Sequence, residues 1–188
     1  MSKWIALATL TLSITFMARV GVESQQPPLQ QPAKVVKLTA LDYAEIQQLV
    51  AKYAWANDTC RNNGYDYADL YTPDGWFAAS QDGKLGNKSQ GREKLAEAAG
   101  GGSRGCTKLQ RPEGLWIHDI VNLIIEPAEE GATGQSRLVY PALRGVSFDA
   151  VHAGHVGGYD YVFVRTPNGW RFKSVTHVMD HQSWNGHA

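Results

Sequence analysis

From residue 115 onward the apolar residues recur with a period of two in four long runs, 115–126, 134–143, 155–166 and 169–178. Turn-forming residues separate them at 127–131, 145–151 and 167–169. Long strands joined by connections this short pair antiparallel. Both faces of the first run are mostly apolar: Trp116, His118, Ile120, Asn122 and Ile124 share one, and Leu115, Ile117, Val121, Leu123 and Ile125 the other. Both faces are therefore covered, and the preceding sequence supplies helices.

Thr39-Ala40-Leu41-Asp42 has the form of a capping box, so a helix is expected from about residue 40. Ile46, Leu49, Val50, Tyr53 and Asn57 then follow one another on a single helical face. Asn, Asp and Gly cluster at 58–64 and stop the helix; a second short helix is expected over 65–71, a turn at 72–75 and a strand at 76–79. A third helix is expected over 91–99, followed by a flexible GGGSRG loop at 100–105. Helices first and an antiparallel sheet afterwards define an α+β domain.

Residues 4–18 form an uncharged apolar run behind Lys3, short for a membrane span, and small residues follow it. This reads as a signal peptide over 1–24, giving a periplasmic or secreted protein with no lasting membrane insertion; an uncleaved anchor is the alternative. Residues 25–36 are rich in Gln and Pro and read as a flexible leader, the domain itself as 37–180, and 181–188 as a tail. Basic and acidic residues number 18 each, and a cut after Ser24 removes only Lys3, Arg19 and Glu23. That near-neutral balance, with no basic stripe among aromatics, argues against nucleic acid as a partner and for an uncharged or weakly charged small molecule. Cys60 and Cys106 are expected to pair in an oxidising compartment, two free buried thiols being the other reading.

His118 is the natural base on its strand, because imidazole titrates near neutral pH and a buried polar group needs a partner or a task. A core histidine bonded to a backbone carbonyl is the plain alternative. Asn57 is centred on the buried helical face and Asp58 lies about 100° round from it, so either can face a pocket. Trp55, Trp76 and Trp116 read as core or pocket-wall aromatics. The pairs His152/His155 and His177/His181 have ligand-like spacing but no carboxylate or cysteine partner motif, and no metal is assigned to them.

The segments DYAEIQQLVAKYAWAND, ADLYTPDG, GREKL, HDIVNLIIEPAEEGATGQSRLVY and GGYDYVFVRTPNGWRF, in this order over 38–178, resemble the SnoaL-like branch of the nuclear transport factor 2-like superfamily, near the scytalone dehydratases. The resemblance implies a cone-shaped, curved antiparallel sheet wrapped around N-terminal helices, a cystatin-like roll. It also implies a helix-borne aspartate and a strand-borne histidine meeting across a pocket with no cofactor. His118 matches the histidine; Asp58 matches the aspartate, with Asn57 competing. Tyr53, Trp76, Trp116, Asn122, Tyr140, His155 and Tyr159 are the expected substrate contacts. In the dehydratases a second histidine follows a proline on the neighbouring strand, whereas here Pro141 precedes Ala142; Tyr140, Tyr159 or His155 is left to supply that donor.

These residues suit a lyase that dehydrates a small aromatic or polyketide-like alcohol or releases formaldehyde from it by a retro-aldol step. An isomerase, a non-catalytic binder and a small subunit like those of ring-hydroxylating dioxygenases are the alternatives. The apolar outer face leads to the expectation of a homodimer or homotrimer.

Overall fold

The computed structural model describes residues 37–106, 117–143 and 151–179, with backbone alone for 140–143 and 151–156, all within a compact unit spanning Ala33–Ala188. The expected signal peptide and leader, the tail at 181–188, Trp116 and most of the turn at 145–151 lie outside the described residues.

Helix α1 runs Ala40–Thr59. Its first turn is closed by the expected capping box: Thr39 Oγ1 accepts from the Asp42 N–H, and Asp42 accepts in return from the Thr39 N–H at 2.8 Å. Ile46, Leu49, Val50, Tyr53 and Asn57 are all buried, so the helical face read from the sequence is the one that packs. Cys60, with φ 48°, ends the helix in the left-handed region. A 3₁₀ turn, Arg61–Gly64, leads to the short helix α2, Tyr65–Ala68.

Strand β1, Tyr71–Gln81, takes up both the end of the expected second helix and the expected turn at 72–75. Pro73 breaks the ladder there, as a proline inside a strand must, and the pairing register with β7 shifts between Tyr71 and Trp76. Two-residue strands β2 (Lys84–Leu85) and β3 (Ser89–Gln90) precede helix α3, Arg92–Ala98. The long strands are β4 (Asp119–Ala128), β5 (Gly131–Leu143), β6 (Val151–Thr166) and β7 (Gly169–Val178).

The seven strands form one open sheet in the order β2-β1-β7-β6-β5-β4, with β3 on β1. All pairs are antiparallel, as expected, except β1 with β7, which is parallel and joins the first strand to the last. Register shifts within the β1–β7, β4–β5, β5–β6 and β6–β7 pairings bend the sheet around α1. Tyr159, Tyr161 and Phe163 of β6 and Phe172 and Val175 of β7 carry its inner face and are buried with the apolar face of α1.

The N-terminus of α1 is bolted to the far end of this sheet by one carboxylate. Asp42, 5% exposed, accepts from the Trp170 Nε1–H at 3.0 Å and is ion-paired with Arg165. Arg165 and Trp170 are cross-strand partners at the end of the β6–β7 hairpin, so the capping residue also grips that hairpin. Asp42→Ala should therefore remove a helix cap and strand a buried indole N–H. An unfolding free energy lower by about 3 kcal/mol is expected from these two losses, measured by urea denaturation; a change below about 0.5 kcal/mol contradicts the bolt.

Candidate active site

The other end of α1 carries the polar chemistry. His118 stands just before β4, and its backbone N–H donates to Asp58 Oδ2 at 2.9 Å. Its Nδ1 meets Asp58 Oδ1 in a second hydrogen bond. A carboxylate only accepts, so Nδ1 carries a proton, and in the tautomer this selects the lone pair is on Nε2. That atom lies 3.1 Å from Asn57 Nδ2, which donates to it. Asn57 and Asp58, though consecutive, take opposite edges of one buried imidazole.

Asn57 and Asp58 occupy the last turn of α1, and Cys60, two residues on, caps that turn. Cys60 and Cys106 are joined in a disulfide with Cα atoms 5.9 Å apart. The bond ties the helix end to the segment that leads toward His118.

One helical turn before Asn57 stands Tyr53, wholly buried. Its ring centroid is 5.1 Å from Tyr67, 5.4 Å from Tyr159 and 5.5 Å from Phe172. The Tyr71 hydroxyl donates to that of Tyr67 at 2.7 Å, and Ser136 Oγ and the Tyr161 hydroxyl are 2.8 Å apart. Burial above all pushes Tyr67, Tyr71 and Tyr161 well above the usual tyrosine range. They therefore keep their protons at neutral pH and can donate or polarise, but not act as bases. His177 of β7 completes the wall, its ring 5.1 Å from that of Tyr159.

Of the expected substrate contacts, Tyr53 and Tyr159 are brought together in this interior. Trp76 is not among them: it pairs with Ser174, which pairs with Val162, on the face opposite Tyr161 and Val175, and Lys88 Nζ sits 3.9 Å above its ring. Asn122 is also on the outer side. It takes φ 55° where the β4–β5 register shifts between Val121 and Ile124, and this bulge inverts the alternation. Ile120 pairs with inward Leu138, whereas Ile124 pairs with outward Gln135. Ile124 is consequently 59% exposed, and Leu123 and Ile125, expected outside, pack partly buried against the core.

Tyr140 and His155 are register partners in β5 and β6, and their side chains lie outside the described residues, as do those of His152 and His181. Trp55 is 65% exposed and lines a surface cleft of about 860 Å³ with Lys52 and Arg171, not the core.

Tyr67, Tyr71, Tyr161 and Ser136 went unread in the sequence, and His177 was weighed there only as half of a ligand-spaced pair with His181. Tyr161 had a signal, since it lies two residues from Tyr159; His177 had none, because only the register of β7 against β6 turns it inward.

A bent open sheet around one long helix, with this interior between them, is the nuclear transport factor 2-like, cystatin-like fold. Solved structures share it. An NTF2-like protein from Novosphingobium aromaticivorans superposes with a TM-score of 0.60 at 22% identity, over 75% of this chain and 83% of that one. ActVI-ORFA from Streptomyces coelicolor gives 0.59 at 19%, over 76% and 99%. A protein from Catenulispora acidiphila in complex with S-DNPA gives 0.59 at 23%, over 78% and 99%. At these identities the likeness shows the fold alone. The narrower assignment comes from the sequence, which matches the SnoaL-like domain over residues 38–176: the chain belongs to that family. No curated relative matches it.

The disulfide closes a sequence separation of 46 residues. Replacing both Cys60 and Cys106 by Ser should lower stability by about 4 kcal/mol through the entropy returned to the unfolded chain. Chemical denaturation of the variant and of the oxidised parent provides the comparison, and equal midpoints and slopes rule the estimate out.

Proposed function

We propose that this protein is a cofactor-independent lyase acting on a small aromatic or polyketide-like alcohol, by dehydration or by retro-aldol release of formaldehyde. The observation that carries this reading is the Asp58–His118 pair at the end of α1, about one helical turn beyond the buried tyrosine cluster that Tyr53 joins. Asp58 holds His118 in the tautomer whose Nε2 can take a proton, and it stabilises the imidazolium that results. The buried tyrosines donate to the oxygen on which charge develops. Isomerisation would draw on the same groups. A non-catalytic binder is the second reading, and the Asn57 amide on Nε2 favours it, since that bond keeps the base covered.

We further propose export of the mature domain and self-association through the outer sheet face. Val121, Ile124 and Val162 are exposed there, and the face holds a groove of about 530 Å³.

A screen of aromatic diols and hydroxy ketones, read by mass, should find a substrate that loses water or formaldehyde. On that substrate His118→Ala and Asp58→Asn should each reduce kcat/KM by at least about 100-fold. Full turnover by His118→Ala sinks the mechanism, and ligands returned unchanged across the screen favour the binder. For assembly, sedimentation velocity should give a dimer or trimer that Ile124→Glu converts to monomer.

A further inference from the structure

Two adjacent residues hold His118 by hydrogen bonds to its ring and its backbone: Asp58 takes the backbone N–H and Nδ1, and Asn57 takes Nε2. A histidine kept only for packing needs one acceptor for its N–H. Here the lone pair of the neutral ring is also engaged, by an amide N–H that is itself buried on the inner face of α1. Asn57 thus occupies the point at which a base would act.

We propose that Asn57 is a second substrate-contacting residue of this site, which holds Nε2 in the empty protein and exchanges it for the substrate's oxygen. This exchange rests on the proposed acid–base reading. A hydroxyl or carbonyl oxygen arriving between the two side chains accepts the Asn57 N–H, which frees Nε2. The freed nitrogen takes one proton from the substrate, from the hydroxyl itself or from a carbon beside a carbonyl. The electron pair left behind comes to rest on substrate oxygen, hydrogen-bonded to Asn57, and the Nδ1–H of the new imidazolium stays on Asp58. The amide N–H that covers the base in the resting protein is the donor that the reacting oxygen needs.

Two consequences follow for the substrate. It must carry an oxygen able to accept from Asn57 next to the proton it loses, so an aromatic hydroxyl or a hydroxy ketone fits and a hydrocarbon does not. The oxygen must also reach the helix end that holds both residues, one turn beyond Tyr53, whose ring supplies the neighbouring aromatic surface.

The test uses the full chain labelled with [¹⁵N]histidine, at mildly alkaline pH, with 2-naphthol as the probe. In the parent, His118 should show a protonated Nδ1 and a hydrogen-bonded, unprotonated Nε2. Asn57→Ala should move the Nε2 resonance downfield, toward an unbonded ring nitrogen, and leave Nδ1 in place; loss of mere packing does not produce that pattern. Asn57→Ala should also bind 2-naphthol about tenfold more weakly, the loss expected for one hydrogen bond. Asn57→Asp keeps the shape and removes the donor, so it should show the same weakened binding even where the alanine variant folds poorly by circular dichroism. An Nε2 resonance unmoved in a folded Asn57→Ala, a parent that takes up no 2-naphthol, or equal affinities in parent and variants overturns the proposal. A chain that meets all three expectations yet converts none of the screened alcohols keeps this role for Asn57 and loses the lyase reading. Turnover with an unmoved Nε2 does the reverse.

Discussion

The burial of one face of α1 against the inner face of β6 and β7 is the contact on which the rest of the structure depends. Ile46, Leu49, Val50 and Tyr53 pack there with Tyr159, Tyr161, Phe163 and Phe172. Apolar burial is not directional, and by itself it leaves a helix free to slide along or rotate over such a surface. Directional contacts at the two ends remove that freedom. At the start of the helix Asp42 holds the end of the β6–β7 hairpin; at its close Asn57 and Asp58 hold the entrance to β4, with the Cys60–Cys106 bond beside them. The polar groups of the candidate site are thus part of what keeps the helix in register with the sheet.

Structure and chemistry share the same atoms at that second end. Asp58 satisfies the His118 backbone N–H and also sets the ring tautomer, so orientation and proton placement come from one carboxylate. The tyrosines of the interior cannot take over as bases, since burial keeps Tyr67, Tyr71 and Tyr161 protonated. What they contribute is aromatic surface and O–H donors. Among the groups described around this interior, His118 has the geometry of a base held by a carboxylate, and the Asn57 amide lies against its other ring nitrogen.

Much of the fold was legible because it follows from local rules. The capping box at Thr39–Asp42, the buried face of α1 and the span of β7 all depend on spacing within one segment. The errors lie where a segment departs from regular spacing. In β4 a single residue, Asn122 at positive φ, adds a bulge, and every side chain beyond it changes face; Ile124 and Ile125 exchange the places that strict alternation assigns. In β1 the ladder absorbs Pro73 and Gly75, which read locally as a turn, because parallel pairing with the distant β7 outweighs turn propensity.

The sequence by itself determined that the chain is a helix-then-sheet domain of the SnoaL-like kind, and it singled out His118, which the structure places just ahead of β4 and not within it, with Asp58 or Asn57 as its partner. These are matters of order and period, which a linear pattern carries. Only the tertiary structure decided that both Asn57 and Asp58 bind His118, that Tyr67, Tyr71 and His177 join Tyr53 and Tyr159, and that Trp76 and Asn122 face away. Each of these depends on strand register or on a ring lying across the end of a helix. Such contacts join residues about 60 or more positions apart in several cases, and no local spacing encodes them.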